Sequence, residues 1–317
     1  QEANLQEVIN HLDLHYLVTK LRYAAVALNR QKIVKVDYGL GLFWKEIEAL
    51  FEYYDFENAP LVKVYYTVTK LLTNLNDEQH FSALKKMLAL YQNRFSKNEL
   101  QQLYAIMINY CIWQTTMQKK QYIQEAFVIY RIMVEEALLF TETYFSPHHF
   151  KNIVAVSISA KQYDWAEKFM VQHKDKVLPM YSENVYLYNM GYLYFAQNDY
   201  EKASEVLRQI QYSDFEFIDL FYDLGYRTLL VKTFFETQEY IPLHDAIEAF
   251  RQYLMRNQQI NAARKEAYMN FLKLLKKLLN KVEGKKRTDA ELKKHIEQTS
   301  PLVQHSWLLE KLKGIKQ

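Results

Sequence analysis

Turn-forming residues are scarce in this 317-residue chain. It holds six glycines and five prolines, where average usage of about 7% and 5% would give roughly 22 and 16. Barrels, sandwiches and doubly wound sheets need a turn signal every dozen residues or so; the shortage argues against them and for long helices joined by short polar links. Cysteine occurs once, at Cys111, which excludes an internal disulfide framework and a cysteine-built zinc site. No run of 18 apolar residues exists, so no stretch is long enough to span a bilayer as a helix. No Gly-rich phosphate loop, Gly-x-Ser-x-Gly elbow or Cys/His nucleophile pattern occurs, and the expectation is a non-enzyme that carries no cofactor. The start Gln1-Glu2-Ala3-Asn4 has neither an initiator methionine nor a charged-then-apolar leader, which suggests a trimmed or processed chain. The lone cysteine leans toward the cytoplasm.

What is present is a repeat. Half of the residues are apolar, enough for a large core. An aromatic followed three residues later by alanine, then by a large apolar residue, occurs as Tyr163, Ala166 and Phe169 and again as Tyr200, Ala203 and Leu207. Weaker copies centre on Ala83, Ala126 and Ala246, and the five alanines are separated by 43, 40, 37 and 43 residues. A period of this length marks an array of supersecondary units, read here as five helical hairpins over 58–257. Two helices at about 5–30 and 42–55 precede them, with Gly39 and Gly41 at the turn, and basic capping helices over 258–317 follow. The fold class expected is all-α, an α-solenoid of antiparallel helix pairs forming one domain, 1–317.

Helix starts support the count, because a helix leaves four backbone N–H groups without intrahelical partners. Ser96, Ser213 and Thr288 each stand three residues before a glutamate, the spacing of a reciprocal capping box. Ser146-Pro147 and Ser300-Pro301 place a small polar residue before a proline suited to the first helical position. Asn74, Asn198-Asp199 and Gln238-Glu239 are expected to link paired helices.

Residues 184–217 resemble a tetratricopeptide repeat, with Gly191 at its eighth position, Tyr194 at the eleventh, Ala203 at the twentieth and Leu207 at the twenty-fourth. Residues 147–180 match at Phe150, Ala166, Met170 and near Pro179, with Val154 and Ser157 in place of the small and aromatic residues. The resemblance implies a right-handed superhelix in which the first helix of each pair lines a concave groove that holds an extended peptide or helix. Carried over, the groove residues are His148 and Lys151, Tyr188, Asn189 and Tyr192, and Thr228 and Lys232. Of the two-carboxylate clamp of chaperone-tail binders, Lys151 and Asn189 match, but Ala155, Gly225 and Leu229 hold the other three places, which argues against that activity.

The remaining constellations read as structural. His11 and His15 share a helix face, a spacing that can hold a metal, but no third ligand completes it, and no metal site is expected. His148-His149 lies in a first helical turn. Glu135, Glu136 and Glu142 lie on a charged helix without a desolvated cleft to shift a pKa. Most of the 26 tyrosines fall on apolar faces as core filler, with Tyr188 and Tyr192 the best candidates for recognition. Residues 261–317 hold 14 basic against 6 acidic residues, net +8, whereas residues 1–260 hold 26 against 31, net −5. Lys273, Lys276, Lys277 and Lys281 stand opposite an apolar stripe, read as a terminal cap that closes the last pair.

The function expected from the sequence is therefore a protein-protein interaction scaffold that binds a peptide or helix of another protein in a tyrosine-rich groove. The rivals are a structural or self-associating arm of a larger protein, and electrostatic binding of nucleic acid or anionic membrane by residues 273–287. The aromatics among those lysines, Tyr268 and Phe271, lie on the apolar face, which disfavours base stacking.

Overall fold

The computed structural model describes residues 2–34, 36–139, 144–210, 220–284 and 289–314. Among the described residues every regular element is a helix, and the one strand-like pairing is an isolated backbone bridge, Phe145 to Val177. The contacts group into two compact units, residues 1–141 and 142–317.

The first unit contains α1 (Glu2–Val34), α2 (Trp44–Tyr53), α3 (Pro60–Thr73), α4 (Glu78–Tyr91), α5 (Lys97–Thr116) and α6 (Tyr122–Glu135). Helix α3 packs on α1 and α4, and α5 packs on α6. Three- and four-residue steps bury Val64, Val68, Leu71 and Leu72 on α3, and Leu17, Leu21 and Leu28 are buried on α1. Phe81, Tyr110 and Tyr122 form an aromatic trio, with ring centroids 5.0 to 5.6 Å apart. The Ser96 capping box forms: Glu99 N donates to Ser96 Oγ at 3.3 Å, and Ser96 N donates to Glu99 Oε2 at 3.0 Å. Cys111 is wholly buried, and burial pushes its thiol well up, so it behaves as a small hydrophobe.

The second unit contains α7 (Pro147–Ser159), α8 (Tyr163–His173), α9 (Pro179–Ala196), α10 (Tyr200–Leu207), α11 (Leu220–Glu236), α12 (Tyr240–Arg256), α13 (Ala262–Val282), α14 (Asp289–Gln298) and α15 (His305–Gly314). Consecutive helices pack in pairs, α7 on α8, α9 on α10 and α11 on α12. Alternate helices also meet, α7 on α9 and α9 on α11.

Ala126, Ala166 and Ala203 are each fully buried, as notches between helices should be. Ala83 is exposed, however, and Ala246 only half-buried. At those copies the larger Leu84, and Leu243 with Ile247, occupy the contact. Gly191 earns its place by proximity: a Cβ there would lie 2.7 Å from both Cγ and Cδ2 of Leu207.

Other expected helix starts differ. Pro147 does begin α7, but the Ser146 side chain makes no capping bond. Ser300-Pro301 falls in the link between α14 and α15, four residues before His305, and starts no helix. Ser213, Glu216 and Thr288 lie outside the described residues. Caps unremarked in the sequence are Asn261, whose Oδ1 accepts from Arg264 N at 2.9 Å, and Asp77, which accepts from Gln79 N at 3.0 Å.

The apolar stripe of α13, including Phe271, Leu275, Leu278 and Leu279, is buried in one cluster with Phe250, Leu292, Trp307 and Leu308. Its lysines Lys273 and Lys276 are exposed. Lys285, Lys286 and Arg287 lie outside the described residues. Among the described residues no helix is long and apolar enough to cross a membrane.

Candidate functional site

A pocket of about 230 Å³ opens in the second unit between alternate helices. Lys151 and Ala155 reach it from α7, Tyr188 and Tyr192 from α9, and Gly225, Thr228, Leu229 and Lys232 from α11. Tyr268 of α13 and Gln304 of the link before α15 complete the wall. These helices are the first members of successive pairs, so the four-residue step along each one carries a side chain at every turn to the same face.

Five of the seven expected groove residues, Lys151, Tyr188, Tyr192, Thr228 and Lys232, line this pocket. Asn189 does not: it is fully buried, its Nδ2 donates to Val185 O at 2.7 Å, and its Oδ1 has no hydrogen-bond partner. His148 is exposed at the start of α7, its ring 6.4 Å from that of Tyr222. Ala155, Gly225 and Leu229, which stand where a carboxylate clamp would have polar groups, are lining residues too.

The pocket's floor depends on Gly225. A Cβ there would meet Tyr188 Oη at 2.6 Å, so only glycine lets that phenol lie against α11. The Tyr188 ring packs edge-on to Tyr222 at 5.3 Å, and Tyr222 Oη donates to Pro147 O at 2.6 Å. Lys151 Nζ donates to Phe221 O at 2.9 Å and stands 4.7 Å over the Tyr222 ring and 5.5 Å over Tyr188. Thr228 is buried and its Oγ1 donates to Leu224 O at 2.6 Å. Lys232 Nζ donates to Gln304 Oε1 at 3.1 Å and lies 4.6 Å from the centroid of Phe195 and 5.3 Å from Trp307.

The electrostatics are one-sided. Two lysines line the wall, and among the described residues no aspartate or glutamate does. Burial pushes the phenols of Tyr188, Tyr192 and Tyr268 above the ordinary tyrosine range, so they remain neutral donors. Burial also holds the Lys232 ammonium down, to about 8, against the opposing pull of Glu236 and Glu310. Glu236 is itself occupied, accepting from Trp307 Nε1 at 2.9 Å and pairing with Lys311 Nζ at 2.8 Å.

Tyr268 and Gln304 were not legible as pocket residues. Tyr268 reads as one more member of the α13 apolar face, and its ring does lie 5.7 Å from Phe250. Gln304 sits in a link whose path no local pattern fixes. Gly225 carried the better signal, being one of only six glycines and standing inside a helical pattern, where glycine marks a close approach.

A second opening, of about 840 Å³, lies in the first unit between α1 and α2. Leu14, Leu17, Phe43, Ile47, Leu50 and Tyr54 make it apolar, with Asp13 and Glu46 at its edge. His11 and His15 are both exposed on α1, and among the described residues no cluster of three possible metal ligands occurs. Glu135 and Glu136 are exposed, and Glu142 lies outside the described residues. Comparison with protein-family models, curated proteins and solved structures finds no match to the chain.

Proposed function

We propose that the helix pairs of residues 142–317 are a tetratricopeptide-like solenoid and that the chain is a non-enzymatic interaction scaffold, holding a peptide or helix of another protein on the tyrosine-rich face of α7, α9 and α11. The observation that carries this reading is the convergence of Lys151, Tyr188, Tyr192, Thr228 and Lys232, from three helices not consecutive in the chain, on one opening. Stacked pairs contact chiefly their neighbours and leave the faces of their first helices as a continuous recognition surface. The opening suits one or two anchoring side chains, and a desolvated aromatic at such a site is worth about 2 kcal/mol of affinity.

Tyr192 is the residue to remove, because it is only half-buried, whereas truncating the buried Tyr188 would leave a void beside Gly225. The Tyr192→Ala variant is expected to keep the wild-type helical circular dichroism and to lose, in pull-downs from native lysate, a protein that the wild type retains. A variant that captures the same proteins as the wild type would remove this face from consideration.

A second reading, self-association through the first unit, is favoured by the exposed apolar residues Leu5, Val8, Ile9, Leu12 and Tyr16 along α1. Their three- and four-residue steps make one stripe, the pattern of a helix that packs on a partner helix. Light scattering should then give twice the monomer mass, and Leu12→Asp should return it to the 38.1 kDa of one chain. A wild-type chain of monomer mass at high micromolar concentration would end this reading.

A further inference from the structure

Lys232 is an unusual lysine by its surroundings alone. Its side chain lines the pocket, two aromatic rings flank its amino group, and its one hydrogen bond among the described residues goes to the neutral Gln304. No carboxylate of the described residues lies within ion-pair distance of it. The acid one turn along the same helix, Glu236, is held by Lys311 and Trp307 of α15, and Glu310 of α15 pairs with Lys311 at 3.0 Å. The other groups on the pocket wall are the neutral phenols of α9 and α13 and the cationic Lys151 of α7. An ammonium that is half-buried, flanked by two rings and without an ion-paired carboxylate among the described residues is shifted toward the neutral, nucleophilic amine.

We propose that Lys232 is a covalent attachment site for a small carbonyl compound bearing an anionic group, bound as an imine with its anion drawn toward Lys151. The nitrogen lone pair adds to the carbonyl carbon to give a carbinolamine. The carbonyl oxygen and the two amine protons then leave as one molecule of water, and a C=N bond remains. No oxidant or reductant takes part. The pocket contributes an amine with a sizeable neutral fraction, a wall that includes the rings of Tyr188, Tyr192 and Tyr268, and the positive charge of Lys151. With its ammonium held at about 8, Lys232 at about pH 7.5 has a neutral fraction roughly two hundred times that of a lysine at the ordinary value. The site uses the same pocket as the proposed scaffold but needs no protein partner, so the test below separates the two.

Pyridoxal 5′-phosphate and pyridoxal share one aldehyde and differ by a phosphate. The full chain is incubated with each at about pH 7.5, reduced with borohydride and mapped by peptide mass. The expected result is labelling of Lys232 at least tenfold above the exposed Lys273 and Lys276, with pyridoxal 5′-phosphate preferred over pyridoxal. The Lys232→Arg variant should lose that label while melting at the wild-type temperature. The Lys151→Met variant should keep the label and lose the preference for the phosphate. Label spread over surface lysines, with Lys232 at or below their level in a protein of unchanged circular dichroism, would overturn the proposal. Equal labelling by the two aldehydes would overturn its anionic part. Neither result would touch partner capture by Tyr192.

Discussion

Gly191 shows what a single missing methyl group does. An interior helical glycine replaced by alanine ordinarily gains about 1 kcal/mol, but here the new Cβ would press on the fully buried Leu207 at 2.7 Å. Overpacking of a filled contact costs about 1–3 kcal/mol, so Gly191→Ala is expected to lower stability by about 1 kcal/mol in urea unfolding. The same change in a Leu207→Ala background has room and should be neutral or favourable. A cycle with no coupling between the two positions would show that α9 and α10 do not meet there. Buried charge follows the same logic of neighbours. Arg227 Nε donates to the buried Asp223 at 2.8 Å and its guanidinium stacks over Tyr253 at 3.9 Å, so its burial is matched by a carboxylate and a ring face. Neither the Leu207 contact nor this pair follows from composition, although the resemblance to a tetratricopeptide repeat did imply a close approach of two helices at Gly191 and Ala203.

At the scale of elements, the scarcity of glycine has a consequence in the turns between paired helices. Gln118, Lys161, Asn198 and Gln238 all have φ between 58° and 67°, the left-handed region that glycine occupies most easily. Asn198 is helped by its side chain, whose Oδ1 accepts from Tyr200 Oη at 2.8 Å. For an ordinary side chain the conformation costs about 1–2 kcal/mol, part of which glycine would return through its freer unfolded chain. Gln238→Gly is therefore expected to raise stability by about 0.5 kcal/mol, seen as a small upward shift in melting temperature, and Asn198→Gly to leave it unchanged. A drop on Gln238→Gly would mean that this turn is not held in the left-handed region. The helix pairs themselves were legible because apolar steps of three and four residues report directly on a buried face. The register of the pairs was less so. Exposed Ala83 beside buried Leu84, and half-buried Ala246 beside buried Ile247, show that a short alanine motif fixes position only where the facing helix also demands a small residue. Pro301 failed as a helix start for a related reason: proline permits the first turn of a helix but does not compel one.

For the whole molecule, the grouping into residues 1–141 and 142–317 gives a direct expectation. Each stretch has its own buried core, with Leu21, Val62, Leu71 and Leu84 in the first and Phe150, Val185, Phe250 and Phe271 in the second. Expressed separately, both should show helical circular dichroism and a cooperative thermal transition. A fragment without a transition would remove the grouping as a folding boundary. Nothing in the sequence marked this division, because no Gly-, Pro- or Ser-rich linker interrupts the helical pattern and contact density between distant segments leaves no local trace.

The sequence by itself determined the all-helical class and the pairing of helices at intervals near forty residues, since periodicity and helix geometry are local properties that residue order encodes directly; Lys151, Tyr188, Tyr192, Thr228 and Lys232 came together only through the resemblance to a tetratricopeptide repeat. Tertiary structure alone decided that Asn189 turns inward, that Gln304 and Tyr268 complete the wall, and that among the described residues Lys232 has no ion-paired carboxylate while Lys311 takes Glu236. These facts depend on which surfaces come within a few ångströms of one another after the chain has folded. Electrostatics and packing act over those distances, and separation along the chain does not enter them.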